Sequence, residues 1–275
     1  MREFVAQVSK KLNARADLTE KDFLLHTILM DLSMTNFSEK FAFKGGTCII
    51  KHYLGYYRFS VDLDFTFVNQ DVFRSLSQKK IRKILSEKID EIGTLFEKIA
   101  SKRGLDFKCE KGNERYVEFG GGSKFLTFKL WWDSPFAKET FIKIQINFIE
   151  RILFPIKKEK LTSPLKEYKE LEFLFPSFYK EYRKALSLNI YDIKEIFCEK
   201  IRAILTRKGI KERDFIDIYL ISKKFGFGYE DFETEILEKT TFMLNLYTKY
   251  KTNLEENLKV YQLTVSLLAL RITSC

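Results

Sequence analysis

The segment Arg58 to Phe67 constrains this chain more than any other. Phe59, Val61, Leu63, Phe65 and Phe67 alternate strictly with Ser60, Asp62, Asp64 and Thr66. Only a strand sends successive side chains to opposite faces, so one face here is wholly apolar and belongs on a core. The other face projects Asp62 and Asp64 together, about 6.6–7 Å apart along the backbone. Two like charges held side by side repel unless a cation sits between them. Magnesium takes oxygen ligands and commonly binds through one or two carboxylates plus substrate phosphates. A half-exposed strand with acids on its wet face explains Asp-x-Asp equally well, and for that motif alone it is the commoner case.

The preceding residues change the balance. Phe41 and Phe43 read as a short strand leading into Lys44-Gly45-Gly46-Thr47, and a short helical stretch, Cys48 to Leu54, follows and closes at Gly55. Glycines between a strand and a helix let backbone N–H groups approach a phosphate, and the helix N-terminus favours its charge. Lys44 and Thr47 add a cation and a hydroxyl. Gly-Gly-Thr is also common in plain tight turns. The ordered combination of strand, Gly-Gly-Thr, helix, Arg58-x-Ser60 and Asp62-x-Asp64 is much rarer.

Around these motifs the periodicity predicts a helix opening at Thr19, with Asp22 in a capping-type position and a stripe of Phe23, Leu24, Ile28 and Leu32. A long amphipathic helix is expected from Ile81 to Ile99. Strands are expected around Leu105–Glu110, Arg115–Phe119, Phe125–Trp132 and Phe141–Phe148, with Gly120-Gly121-Gly122-Ser123 turning a hairpin. After Arg151 the pattern becomes helical, and Pro155, Pro164 and Pro176 punctuate an irregular basic stretch. Asp192 and Glu195 start a helix that stops at Gly209, and another restarts near Asp214. Helices around Asp231–Leu246 and Leu254–Leu270 finish the chain. The expected fold is α+β: a mixed β-sheet flanked by helices over residues 1–155, then a mainly helical domain over 156–275.

Composition removes several chemistries. Four cysteines without a C-x-x-C pair and only two histidines, His26 and His52, leave no zinc pattern and no H-E-x-x-H site. Neither a G-x-S-x-G elbow nor a G-x-x-x-x-G-K loop occurs. Chemistry is left to carboxylates, lysines and hydroxyls. The net charge of +10 fits nucleic-acid contact but also plain lysine-rich composition. Met1 to Leu18 has no apolar run resembling a secretory signal, and Leu263 to Ile272 is too short to span a bilayer, so a cytoplasmic, membrane-free protein is expected.

Lys44-Gly45-Gly46-Thr47 followed by Arg58-Phe59-Ser60-Val61-Asp62-Leu63-Asp64-Phe65 resembles the signature of the AbiEii-type nucleotidyltransferases, in the superfamily that includes DNA polymerase β. Glu195-Ile196-Phe197-Cys198-Glu199-Lys200-Ile201-Arg202-Ala203-Ile204-Leu205 resembles the family's E-x-x-x-E-K-x-x-A-L helix. Arg213-Asp214-Phe215-Ile216-Asp217-Ile218 resembles its R-D-x-x-D-[LI] segment. The family is known mainly as the toxin half of toxin–antitoxin and phage-abortive-infection systems, and some members transfer nucleotides from an NTP to tRNA.

The resemblance implies a Mg2+-dependent transfer of an NMP from an NTP to an acceptor hydroxyl, most readily on RNA or tRNA, with two ions when substrate is bound and a possible cognate antitoxin. Asp62 and Asp64 would hold the metal. Gly45, Gly46, Thr47, Lys44 and Lys200 would grip the triphosphate, and Arg58 and Ser60 would brace the site. Asp217 would act as base or orienter, with Arg213 and Asp214 in support. Read from the residues alone, Lys200 lies on the apolar stripe of its helix and is either snorkelling or aimed at an anion, and Arg213, Asp214 and Asp217 form a helix-start charge cluster. Family members often carry an acid near Gln145, where this chain has Lys143, Gln145 and Asn147 facing outward; Lys143 remains a phosphate or base contact. The alternatives are a degenerate module that binds nucleotide or RNA without turnover, and a phosphotransferase using the same NTP site.

Overall fold

The computed structural model describes residues 1–138, 140–209 and 211–261. The chain divides into two compact units, one made of Met1–Glu150 and Ile156–Ile190, the other of Arg151–Pro155 and Tyr191–Cys275. In chain order the first unit holds α1 (Arg2–Leu12), α2 (Ala16–Ser33), α3 (Phe37–Lys40), β1 (Phe41–Lys44), α4 (Gly45–Cys48), β2 (Asp62–Phe67), α5 (Gln78–Arg103), β3 (Val117–Gly120), β4 (Phe125–Trp132), β5 (Thr140–Asn147), β6 (Lys157–Leu161), α6 (Lys169–Leu174), α7 (Pro176–Arg183) and β7 (Leu186–Ile190). The second holds α8 (Ile193–Thr206), α9 (Glu212–Phe225), α10 (Glu233–Leu246) and α11 (Lys249–Tyr261).

All the named strands form one seven-stranded mixed sheet, in the order β3-β4-β5-β2-β1-β7-β6. Pairs β2·β5 and β1·β7 are parallel and the rest antiparallel. One face carries Phe43, Leu63, Phe65, Phe128, Ile144 and Ile146, all buried to 1% exposure or less. Phe37 and Phe96 pack edge-on against this layer, with ring centroids 5.0 Å from Phe37 to Phe65 and 5.5 Å from Phe96 to Phe128. The α5 stripe of Ile81, Leu85, Ile89, Ile92 and Phe96 supplies the covering layer. The Gly121, Gly122 and Ser123 backbones all take left-handed φ values of 58°, 66° and 69° between β3 and β4, the turn expected there.

The structure departs from the sequence expectations at several places. Residues 156–190, placed with the helical part, complete the sheet instead, because β6 pairs with β7 and β7 with β1. Strand pairing on β2 begins only at Asp62, and the expected strand at Leu105–Glu110 reduces to a single bridge between Asp106 and Trp131. Helix α8 stops at Thr206, before Gly209. Helix α2 starts at Ala16, and Thr19 bonds the Arg15 carbonyl rather than opening it. Asp22 does not cap; it is wholly buried, where it accepts from Tyr182 at 2.7 Å and pairs with Lys51 at 3.0 Å. The final helix is described to Tyr261, so the remainder of the expected Leu254–Leu270 helix and the Leu263–Ile272 run lie outside the described residues.

His26 sits beside this cluster, its Nε2 2.9 Å from the Lys184 carbonyl. Burial, then the Lys51 charge, pushes its pKa down to about 4, against smaller opposing effects of Asp22 and the Lys184 carbonyl. The folded state therefore resists a proton that the unfolded chain accepts below about pH 6.5. This costs nothing above that pH and lowers stability progressively between about 6.5 and 4. Urea unfolding should show a loss of about 2 kcal/mol from pH 7 to pH 5 attributable to this group, and His26→Gln should remove that part of the pH dependence.

Candidate active site

Strand β1 ends at Lys44 and the chain turns at once into helix. Gly45 makes the turn with φ +75°, a conformation that a side chain strains. It also lies so close to β2 that a Cβ there would stand 2.1 Å from Asp64 Oδ2. A Cβ at Gly46 would meet Arg58 Nη2 at 2.7 Å and Ser60 Oγ at 3.2 Å. The two glycines thus let the turn lie directly on the carboxylate strand. Thr47 fastens it: its hydroxyl is 2.5 Å from the Asp62 carbonyl and 2.8 Å from Ser60 Oγ, deep in the interior. The helix continues from α4 into a widened turn over Ile49–Tyr53, with Leu54 N–H donating to the Ile49 carbonyl at 2.8 Å. Single turns of this kind recur at functional sites.

Asp62 and Asp64 are half-exposed on β2, and both alternate residues, Leu63 and Phe65, are core. Residues paired in register share a face. Lys44 is opposite Asp64 on one side and Gln145 is opposite it on the other. Lys143 is opposite Asp62, and Lys129 is opposite Lys143. The structure therefore brings Lys44, Gly45, Gly46, Thr47, Arg58, Ser60, Asp62, Asp64 and Lys143 into one neighbourhood. Lys44 itself is buried and reaches Glu150 Oε2 at 3.5 Å, so part of its charge is already spent within the fold. Glu150, also buried, receives Asn147 Nδ2 at 3.3 Å.

The described residues contain no cluster of three or more His, Cys, Asp or Glu side chains arranged to hold a metal. Two carboxylates on a rigid strand, with a glycine turn against one of them, fit magnesium in the manner that leaves further positions to phosphate and water. Sequence reasoning missed Lys21 on α2. Its ammonium group stands 5.9 Å from the Phe141 ring centroid, and its pKa is lowered by burial first, with Asp62 opposing, Lys143 adding to the fall and Asp17 opposing in turn. No local motif marks it, because α2 precedes the turn by a separate stretch of chain.

In the second unit, Lys200 on α8 and Asp214 and Asp217 on α9 do meet. Lys200 Nζ lies 2.8 Å from Asp214 Oδ1 and 2.6 Å from Asp217 Oδ2, and Arg207 Nη1 lies 2.7 Å from Asp214 Oδ2. Burial pulls the Asp214 carboxyl upward, but Lys200 and then Arg207 outweigh it and hold it below the usual carboxylate range. Asp217 is wholly buried and about a tenth of the Lys200 side chain remains exposed. Arg213 is exposed at the start of α9. Glu195 is structural: its Oε2 accepts from Leu153 N–H at 2.8 Å and Phe154 N–H at 2.7 Å, and its other oxygen pairs with buried Lys239.

The sequence model of the nucleotidyl transferase AbiEii toxin family, type IV toxin–antitoxin system, matches residues 27–260. Both groups of charged residues described above fall inside that span. No curated protein matches the chain in sequence. Among solved structures, the fold is similar to MenT4, a nucleotidyltransferase toxin from Mycobacterium tuberculosis H37Rv. The TM-score is 0.51 at 19% identity, covering 87% of this chain and 68% of that one.

Removing one partner from a buried ion cluster leaves charge uncompensated, typically at a cost of about 3–5 kcal/mol. Lys200→Ala should therefore lower the stability of the helical unit by that order in chemical denaturation. Lys200→Arg, which keeps the charge, should lose less.

Proposed function

We propose the following course of reaction for this chain, which belongs to the AbiEii nucleotidyl transferase toxin family: an acceptor hydroxyl on RNA, tRNA above all, attacks the α-phosphorus of an NTP. A new P–O bond forms to the acceptor, the bond to the β-phosphate oxygen breaks, and pyrophosphate leaves. The observation that carries this reading is the Gly45-Gly46 turn lying directly against Asp64 on β2. A half-buried glycine turn beside a strand-borne carboxylate supports binding of a metal-complexed triphosphate.

Asp62 and Asp64 would hold Mg2+. When bound, the ion neutralises phosphate charge and stabilises the attacking and leaving oxygens. The remaining roles fall to the chain's own groups. Gly45 and Gly46 admit the phosphates to the backbone. Thr47, bonded to Ser60 and to the Asp62 carbonyl, keeps the turn and the strand in fixed relation. Arg58 braces Gly46, and Lys44, tied to Glu150, adds positive potential behind Asp64. We assign Lys200 a phosphate-facing charge on the strength of its family motif, with Asp214 and Asp217 fixing its position and Arg213 contributing further charge. Asp217, buried and bonded to Lys200, suits orienting better than proton abstraction. The +10 net charge supports a polyanionic acceptor. Among the described residues no helix is long and apolar enough to cross a membrane. A cognate antitoxin is the partner that the family implies.

The test is label transfer from each α-32P-labelled NTP, with Mg2+, to a total tRNA pool. Labelled RNA is expected with the wild-type chain. Asp62→Ala and Asp64→Ala should each reduce transfer by roughly 10³-fold or more while leaving the circular dichroism spectrum unchanged. Label appearing on protein, or release of NDP instead of pyrophosphate, would redirect the reading to another acceptor or to phosphotransfer.

Gly45→Ala is a second prediction from the same geometry. The new methyl group strains the left-handed backbone by about 1–2 kcal/mol and pushes Asp64 aside. Transfer should fall nearly as far as in Asp64→Ala, with melting temperature lowered only modestly.

A further inference from the structure

The outward face of the sheet carries a second feature beyond the carboxylate strand. Asp62, Lys143 and Lys129 stand in register across β2, β5 and β4, and Phe141 and Trp131 form the paired position two residues further along. The two rings meet with centroids 4.5 Å apart, and both are only half-buried. Three ammonium groups surround Phe141: Lys143 at 5.7 Å from the ring centroid, and Lys21 and Lys129 at 5.9 Å. The Arg115 guanidinium lies 4.5 Å from the Trp131 ring.

Like charges placed opposite one another weaken a sheet, so this arrangement invites an anion. Lys129 is paired with Glu118 and Arg115 with Asp106. Among the described residues, Lys21 and Lys143 form no ion pair. Partly exposed aromatic rings interleaved with cations are a means by which proteins hold single-stranded nucleic acid: bases stack on rings and phosphates meet the charges.

The position selects which nucleotide is held. Strand β2 has the Gly45-Gly46 turn on its β1 flank and the aromatic row on its β5 flank. In an in-line displacement the attacking and leaving oxygens lie on opposite sides of the phosphorus. With a triphosphate at the glycine turn, the attacking hydroxyl arrives from the β5 side. We propose that Phe141 and Trp131 form a stacking platform for an unpaired segment of the RNA acceptor, with Lys21 and Lys143 neutralising its backbone phosphates. The inference rests on the RNA-acceptor reading above and adds to it the surface and the single-stranded state of the substrate.

Fluorescence anisotropy of the full chain with a labelled, unstructured twelve-nucleotide RNA tests this, alongside titration with a non-hydrolysable NTP and with a blunt RNA duplex. Phe141→Ala should weaken single-strand binding about tenfold, Phe141→Tyr should restore most of it, and NTP affinity should stay unchanged. Lys21→Gln should lower the slope of log affinity against log salt by about one. Unchanged RNA binding in a folded Phe141→Ala protein would overturn the platform while leaving the acceptor reading intact. A parallel fall in NTP affinity would overturn it in favour of a donor-base contact, and equal affinity for the duplex would overturn the single-strand preference. Failure of the wild-type chain to bind any RNA would remove both the platform and the reading beneath it.

Discussion

The ion pair between Asp22 and Lys51, 3.0 Å long with both side chains wholly buried, fixes the part of the molecule on which the candidate site depends. Lys51 belongs to the helical run that begins at Gly45, and Asp22 belongs to α2. Joining them seats the glycine turn and also holds the α2 turn that carries Lys21, the residue before Asp22, whose ammonium group lies over the Phe141 ring. A buried carboxylate is costly unless its lone pairs are filled. Tyr182 donates to one oxygen at 2.7 Å, and the Tyr56 hydroxyl lies 3.1–3.2 Å from both. Burial, with Asp22 beside them, pushes both phenols well above their ordinary range, so they remain protonated donors.

What the sequence discloses is local periodicity, and the site is legible where it depends on that alone. Asp62 and Asp64 share a face because they are two apart on a strand with a wholly apolar reverse. The turn before it is legible from two glycines between a strand and a helix. Asp22 misleads because its position near a helix start suits a cap, whereas its true partners lie 29, 34 and 160 residues away. Strand β6, Lys157–Leu161, reads Lys-Lys-Glu-Lys-Leu and shows no apolar alternation. It lies at the edge of the sheet, where among the described residues one side of the backbone has no strand neighbour and charge is the usual composition. Lys44 resembles a phosphate ligand by sequence, and only its tertiary partner Glu150 shows that it also has a structural commitment.

The treatment of charge separates scaffold from working surface. Glu195 with Lys239, Asp22 with Lys51, and Asp214 with Lys200 are buried and closed by hydrogen bonds, which is how a fold tolerates ions in its interior. On the carboxylate face of the sheet charged groups stay half-exposed instead. Asp62 and Asp64 sit two residues apart, and Lys21 and Lys143 gather around a half-buried aromatic ring. Local rules of stability are most often broken where a site has another purpose.

The division of the chain has a bearing on how the protein is made. Strand β1 is synthesised by residue 44, but its parallel neighbour β7 emerges only at residues 186–190, after the passage through 151–155 that Glu195 will later hold. On the ribosome, β1 therefore waits through some 140 residues of synthesis with one row of backbone groups unpaired. Interruption of translation just before β7 would leave β1 as the open edge of a five-stranded sheet, with β6 unattached, and open edges recruit strands from other chains. A truncated product would thus be prone to associate through β1, and the strand that bears the glycine turn gains its second neighbour only late in synthesis.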